Sequence, residues 1–497
     1  MSKRLWTPVI LVLAALLLRL PFLAQGPGGW DDVDFALGVG SFDLARMQPH
    51  FPGYPIYMVA AFVAAIFYKN SFLALSGLSA VAMALSVWPL YAIVSRLGGQ
   101  RIAFWTALAW SVSPLGLVLG TQPLSDAFGL LIALLLVECC LRSCDPSLGT
   151  RARAIALLGS GIWLGLLLGV RVSYVALAAV PLWAAYVYGR DTRAYRDIVA
   201  SVASCLLVCL LWGYALAVNV GSFAGLWKLG TSFTSGHFSD WGGTFTEGSS
   251  LWERLVYWIG RQWFAAGIGT PWKGQLDAAA WIVLALTLLG LGALAFRVRS
   301  WHWRNTGFLI AWVLPYLLWA LFAQNVEKPR HVLPLLPVLI GAIIAGLLTW
   351  KRTILPAVLV VAMLTVGAGQ VMHQAEQPSP MAELASFLQQ HPASLVYTYE
   401  EERVIRYYLP NLHTERLRQW EDFRSSLLSE PVWSEPIYLT GAVLDGFHKP
   451  ELRSLVQEAA RFQGSPWLYP TYHDIVLYEI PPAQFATWKN MLQSDAN

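Results

Sequence analysis

Eleven apolar runs, each near the length of a bilayer crossing, constrain this chain more than any other feature. They lie near residues 6–24, 72–95, 102–120, 126–142, 154–170, 172–188, 198–218, 278–297, 305–323, 332–349 and 353–371. A helix needs about 17–25 mostly apolar residues to cross the hydrocarbon layer. Lipid offers no hydrogen bonds to a backbone, so such runs become helices. Only 13% of residues are charged and 56% are hydrophobic, against roughly 25% charged in a soluble domain. The expected architecture is a polytopic α-helical membrane protein with about eleven transmembrane helices. A net charge of only +4 gives no ground for a nucleic-acid partner. Five cysteines show neither zinc spacing nor a disulfide framework, and they read as packing residues. Lys3 and Arg4 precede the first run, and no small-x-small site follows it. That start reads as an uncleaved helix rather than a signal peptide.

Placing Lys3 and Arg4 inside makes every even-numbered gap an inner loop. Those gaps hold Arg96 and Arg101, then Arg142 and Arg153, then Arg190 and Arg193, then Arg297 and Arg304, then Lys351 and Arg352. All are short and basic, as the positive-inside rule requires. The apolar stretch Ile56–Tyr68 would invert this pattern if it crossed. It is therefore expected to lie at the outer face as an interfacial helix within a long first outer loop. The 219–277 region and the segment Asn325–His331 also fall outside.

The composition changes sharply after the last run. Residues 1–375 form the expected membrane domain, and residues 376–497 a small extracytoplasmic α/β domain. There Pro380 is expected to open a helix. Strands are expected at Ser394–Tyr399, Glu435–Thr440 and His473–Ile480, and helices at Glu400–Tyr408 and Pro450–Phe462. No phosphate loop or nucleophile motif accompanies them, so the domain reads as packing, acceptor-shaping or independently binding.

Charged residues at the outer face are costly unless something uses them. Trp30-Asp31-Asp32-Val33-Asp34-Phe35 follows the first run directly. Its acids read either as a solvated loop or as a general base. The Asp32-x-Asp34 spacing also suits a divalent cation such as Mg or Mn. Asp126 opens a run, where a carboxylate can cap a helix or serve as a second acid. Arg171, Lys328, Arg330 and His331 stand at outer ends, against the basic-inside trend, as does Arg19. An arginine fork suits phosphate, and the bland alternative is snorkelling to headgroups. His237, Asp240, Trp241 and Gly242-Gly243-Thr244 suit a sugar-binding loop or an interfacial aromatic belt.

Several of these residues resemble a known family. Asp31-Asp32-x-x-Phe35 is similar to the Asp-Glu-x-x-Tyr motif of GT-C membrane glycosyltransferases, in the protein O-mannosyltransferase and aminoarabinose transferase branch. Pro49-His50-x-Pro52-Gly53-Tyr54-Pro55-x-Tyr57 resembles the His-Pro-Pro-Gly-Tyr-Pro-Leu-Tyr stretch of bacterial relatives. Arg330-His331-x-Leu333-Pro334-x-x-Pro337 resembles a late-span motif of the same family, and Asp126 falls where it has a second acid. Asp32 and Phe35 stand where the family has Glu and Tyr, and Asp34 has no counterpart in the motif. The resemblance covers roughly residues 1–371 and implies a GT-C fold. It implies inverting transfer of a sugar from a polyprenyl-phosphate donor to an extracytoplasmic acceptor, which is a lipid, glycan or protein. Asp31 is then the base, with Asp32 beside it. Asp34, His50, Tyr54, Asp126, Arg171, His237, Trp241, Lys328, Arg330 and His331 are the candidate substrate residues. A bacterial cytoplasmic membrane is the expected location, since no Asn-x-Ser/Thr sequon occurs. A flippase or transporter, a polymerase or ligase of lipid-linked saccharides, and an inactive scaffold are the competing readings.

Overall fold

All eleven apolar runs are helical, because only a helix satisfies its own backbone in lipid. The computed structural model describes residues 3–241, 243–244, 250–273, 277–297, 303–429 and 434–494. It forms two compact units, one of residues 1–25 and 35–375, the other of residues 26–34 and 376–497.

The first unit begins with α1 (Lys3–Leu17), the second half of α2 (Trp30–Gly40), α3 (Pro55–Ala65) and α4 (Ser71–Gly98). The run expected at 102–120 is interrupted, giving α5 (Gln100–Ser111) and α6 (Pro114–Leu119). Proline supplies no amide hydrogen, so it ends one helix and fits the first turn of the next. Then come α7 (Asp126–Ser143), α8 (Thr150–Val170), α9 (Ala179–Thr192), α10 (Tyr195–Val220), α11 (Phe223–Gly236) and α12 (Leu251–Tyr257). The long helices α13 (Ala278–Arg297) and α14 (Trp303–Ala323), followed by α15 (Leu336–Leu347) and α16 (Ile354–Glu376), complete it. Among the described residues seven helical stretches are long and apolar enough to cross a membrane, and the other runs are shorter, broken or more charged. The chain is a multi-pass membrane protein.

Two expectations about loops are corrected. The acidic segment is the first turn of α2, not a loop. The 219–277 region is largely helical, with α11, a wide turn at His237–Trp241, and α12 continuing as a wide turn over Trp258–Ile268. The signal was present in Ser250-x-x-Glu253, where Ser250 caps the Glu253 amide and donates to its carboxylate at 2.7 Å. The α3 helix has 11 residues, or about 16 Å at 1.5 Å per residue, half a hydrocarbon layer.

The basic gaps are joined to one another by ion pairs and carbonyl bonds. Arg96 pairs with Asp145 at 2.8 Å, Asp191 holds both Arg153 and Arg304, and Arg101 donates to the Lys351 carbonyl. Helices α8 and α10 cross with their backbones nearly touching, and a Cβ on Gly161 would run into the Ser201 carbonyl oxygen.

The second unit carries a five-stranded sheet in the order β2-β1-β3-β5-β4. Its strands are β1 (Leu395–Thr398), β2 (Thr414–Arg416), β3 (Ile437–Thr440), β4 (Gln457–Gln463) and β5 (Asp474–Ile480). The first three are parallel, and β5 runs antiparallel to both its neighbours. Around it lie α17 (Pro380–Gln390), α18 (Glu402–Tyr408), α19 (Trp420–Ser429), α20 (Gly441–Gly446) and α21 (Phe485–Ser494). Strands β1 and β3 are buried along their length, as central parallel strands are. The helix expected over Pro450–Phe462 is instead a short 3₁₀ turn and the edge strand β4. Glu458-Ala459-Ala460-Arg461 has good helix formers, but pairing with β5 overrides that preference.

Candidate active site

The acidic segment is built into the second unit. Asp31 and Asp32 lie in the first turn of α2, where a helix favours carboxylates. Asp32 Oδ2 accepts the Gly28 amide at 2.7 Å. Asp34 has no exposed surface, and its Oδ1 meets Arg403 Nε at 2.7 Å. The Tyr469 and Tyr472 rings lie against the segment. A Cβ on Gly28 would come within 2.9 Å of the first ring, and one on Gly29 within 2.7 Å of the second. Burial, with Glu400 and Asp31 close by, pushes the Tyr472 phenol well up. Tyr469 moves the same way through burial, Asp32 and Glu383. Both phenols therefore keep their protons beside carboxylates. Asp31, the candidate base, is only half-buried.

This placement corrects two assignments. Asp34 is enclosed and paired, so it has no surface to offer a substrate. Asp32 and Asp34 stand two apart on a helix and do not share a face. No group of three or more His, Cys, Asp or Glu among the described residues is placed to hold a metal. The donor set does not fit a divalent cation there.

The first unit assembles most of the other candidates. Gly53 (φ +83°) and Tyr54 (φ +48°) turn the chain into α3, whose first residue is Pro55. That turn brings His50 Nε2 to 2.9 Å from the Tyr54 hydroxyl and packs Phe35 edge-on against Tyr54 and Tyr57. Asp126 and Arg171, at the N-terminus of α7 and the C-terminus of α8, form a buried ion pair at 2.9 Å. Arg171 Nη1 also donates to Ser125 Oγ at 3.1 Å, and its guanidinium lies 5.6 Å from the Tyr174 ring. The ion pair is close but poorly aligned. Among the described residues the Asp126 oxygens, Arg171 Nε and the Tyr174 hydroxyl make no well-formed hydrogen bond.

Arg330 and His331 sit in the turn Pro329–Val332, after Lys328. Burial drives the His331 pKa well below 6.5, and Arg330, Arg171, Lys328 and His237 repel its proton further. Of these four groups the two arginines and the lysine are cations. His237 Nε2 lies 3.0 Å from the Ala323 carbonyl oxygen. Gly242 and the side chains of Asp240 and Trp241 lie outside the described residues.

Arg19 is a correction. It is fully buried and donates to the carbonyls of Ala15, Ser111 and Gly116. It closes helix ends in α1, α5 and α6 and leaves no fork for a ligand. Arg254, which the pattern did not single out, does the same for α14 through Leu321, Gln324 and Gly243. Tyr174, its ring edge-on to that of Tyr316 at 5.7 Å, and Arg403 were also missed. The two tyrosines are embedded in apolar runs, and Arg403 lies 369 residues from its acid.

A family model described as dolichyl-phosphate-mannose-protein mannosyltransferase matches residues 53–219, which include Tyr54, Asp126 and Arg171. The structure resembles ArnT from Cupriavidus metallidurans bound to undecaprenyl phosphate, with TM-score 0.60, 14% identity, and coverage of 96% of this chain and 98% of that one. The apo state of that ArnT gives a TM-score of 0.57 over the same shares, again at 14% identity. The Archaeoglobus fulgidus oligosaccharyltransferase in complex with Zn and sulfate gives 0.51 at 12% identity, over 96% of this chain and 75% of that one. No curated protein sequence matches the chain significantly. The resemblance to GT-C membrane glycosyltransferases is borne out by the family match, and the fold of this chain is of the ArnT type.

Proposed function

We propose that the chain transfers a sugar, with inversion, from a polyprenyl-phosphate donor to an acceptor on the extracytoplasmic face of a bacterial cytoplasmic membrane. The cationic cluster carries this reading. Lys328, Arg330 and buried His331 share one turn, Arg171 pairs with Asp126 at 2.9 Å, and the charge of Arg171 reaches His331. Two arginines and a lysine beside apolar helices suit the oxygens of a phosphate. The capture of undecaprenyl phosphate by the Cupriavidus ArnT supports the same class of donor. The family match and the fold support the transferase chemistry.

In the proposed reaction Asp31 takes the proton of an acceptor hydroxyl or amine. The freed oxygen or nitrogen attacks the anomeric carbon, and the bond from that carbon to the phosphate oxygen breaks. The polyprenyl phosphate leaves with the electron pair, and Arg330, Lys328 and Arg171 stabilise its charge. No nucleotide is consumed.

The test is sugar transfer from a polyprenyl-phosphate donor by purified Asp31→Asn. General-base catalysis contributes about 10²–10⁴-fold, and a loss of that size is expected. Wild-type turnover in this variant would sink the assignment. Movement of the intact lipid-linked sugar across vesicles, with no bond transferred, would favour a flippase.

A further inference from the structure

We infer that Arg403 is a positioning residue for the catalytic segment, and that the second unit serves as the mount for Asp31. This rests on the proposed role of Asp31 and adds a function for residues 376–497. Residues 26–34 pack with that unit, although more than 340 residues of chain intervene.

The grip runs along the whole segment. Ser379 Oγ, which caps α17, also donates to the Pro27 carbonyl at 2.7 Å. Gly28 and Gly29 admit the Tyr469 and Tyr472 rings against the backbone. The Arg416 guanidinium lies 4.9 Å from the Trp30 ring and 4.9 Å from the Tyr399 ring. Arg403 then holds Asp34.

These contacts come from one end of the sheet, where its parallel strands finish. Arg403 follows β1 in α18, Arg416 ends β2, and Tyr469 and Tyr472 precede β5. The chain leaves β1 for β2 on one side and returns in β3 on the other, so the strand order switches at β1. Sheets of this kind take ligands outside the carboxyl ends of their strands at such a switch point. Here the place is filled by the chain's own residues 26–34. Buried Glu401 ties the ends of β1 and β3 by accepting from Thr398, Thr440 and the Tyr399 amide, each at 3.2 Å.

Asp34 and Asp31 are three apart on α2, and such positions share a face. Fixing the buried acid therefore fixes the rotation of the half-buried one. A carboxylate is costly to bury without a partner, and Arg403 supplies one at 2.7 Å. Misplacing a reacting group by about 1 Å can cost roughly 10²-fold in rate.

The experiment uses the full-length protein in lipid nanodiscs. Arg403→Gln should raise amide hydrogen exchange over residues 26–34 by about tenfold or more. It should lower kcat for transfer by about 10- to 100-fold and leave donor affinity within about twofold, because the cationic cluster belongs to the other unit. Arg403→Lys keeps the charge, so it should fold where the glutamine variant does not and lose less of kcat. Unchanged exchange over residues 26–34 would overturn the inference, and so would loosening of the segment with wild-type kcat. A wild-type protein without transfer activity would sink the glycosyltransferase reading, and exchange alone would then decide the clamp.

Discussion

Asp126 and Asp34 are two buried acids with the same chemistry and opposite settings. Each has no exposed surface and faces an arginine, at 2.9 and 2.7 Å. Arg171 is as buried as its acid, with 6% of its side chain exposed, whereas 20% of Arg403 reaches the surface. Around Asp126 polar atoms are left without good hydrogen bonds, and cations gather. Around Asp34 the neighbours are the end of the sheet and two tyrosines packed on the same segment. The first pair leaves polar atoms without well-formed bonds, and the second is a fastening.

The comparison can be broken from either side. The largest expected effect on stability is that of Arg171→Met, which strands a buried carboxylate. Breaking a buried pair costs about 3–5 kcal/mol, read as a loss of thermal stability in detergent. Asp34→Asn should cost less, about 1–2 kcal/mol, because Arg403 can turn to water. Equal losses from the two variants would erase the distinction. Lys328→Ala should weaken polyprenyl-phosphate binding about tenfold, roughly one charge-assisted hydrogen bond, with the unfolding temperature unchanged. Arg19→Met should show the reverse pattern, lowering thermal stability while leaving lipid binding intact.

The smallest effect concerns pH. His331 is held well below 6.5 in the folded state. Below that pH the unfolded chain takes up a proton that the folded chain refuses. Stability should therefore fall as pH drops through about 6.5, by at most about 1.4 kcal/mol per pH unit. His331→Gln should flatten that limb in melting curves between pH 7.5 and 5.5.

Much of the site was legible because it depends on local pattern. His50 and Tyr54 meet across a turn that Gly53 and Pro55 announce. Arg330 and His331 stand beside Lys328 in sequence and in space. Asp126 and Arg171 each mark the end of an apolar run, which is where a crossing helix exposes its terminus. Arg19 and Arg330 illustrate the limit. Both are arginines at the expected outer ends of runs. Only the positions of carbonyls about 95 residues away make Arg19 a helix-end cap. The edge strand β4 was misread for a related reason, since its helix formers answer to β5 and not to their own periodicity.

The sequence by itself determined that this chain lives in a membrane and where along it the basic loops fall. Those properties follow from transfer free energy and charge, which add residue by residue along the chain. Tertiary structure alone decided that the acidic segment packs with residues 376–497, that Asp34 belongs to Arg403, and that a helix-like stretch becomes an edge strand. These outcomes depend on desolvated partners brought together from far along the chain, and no local window contains both members of such a pair.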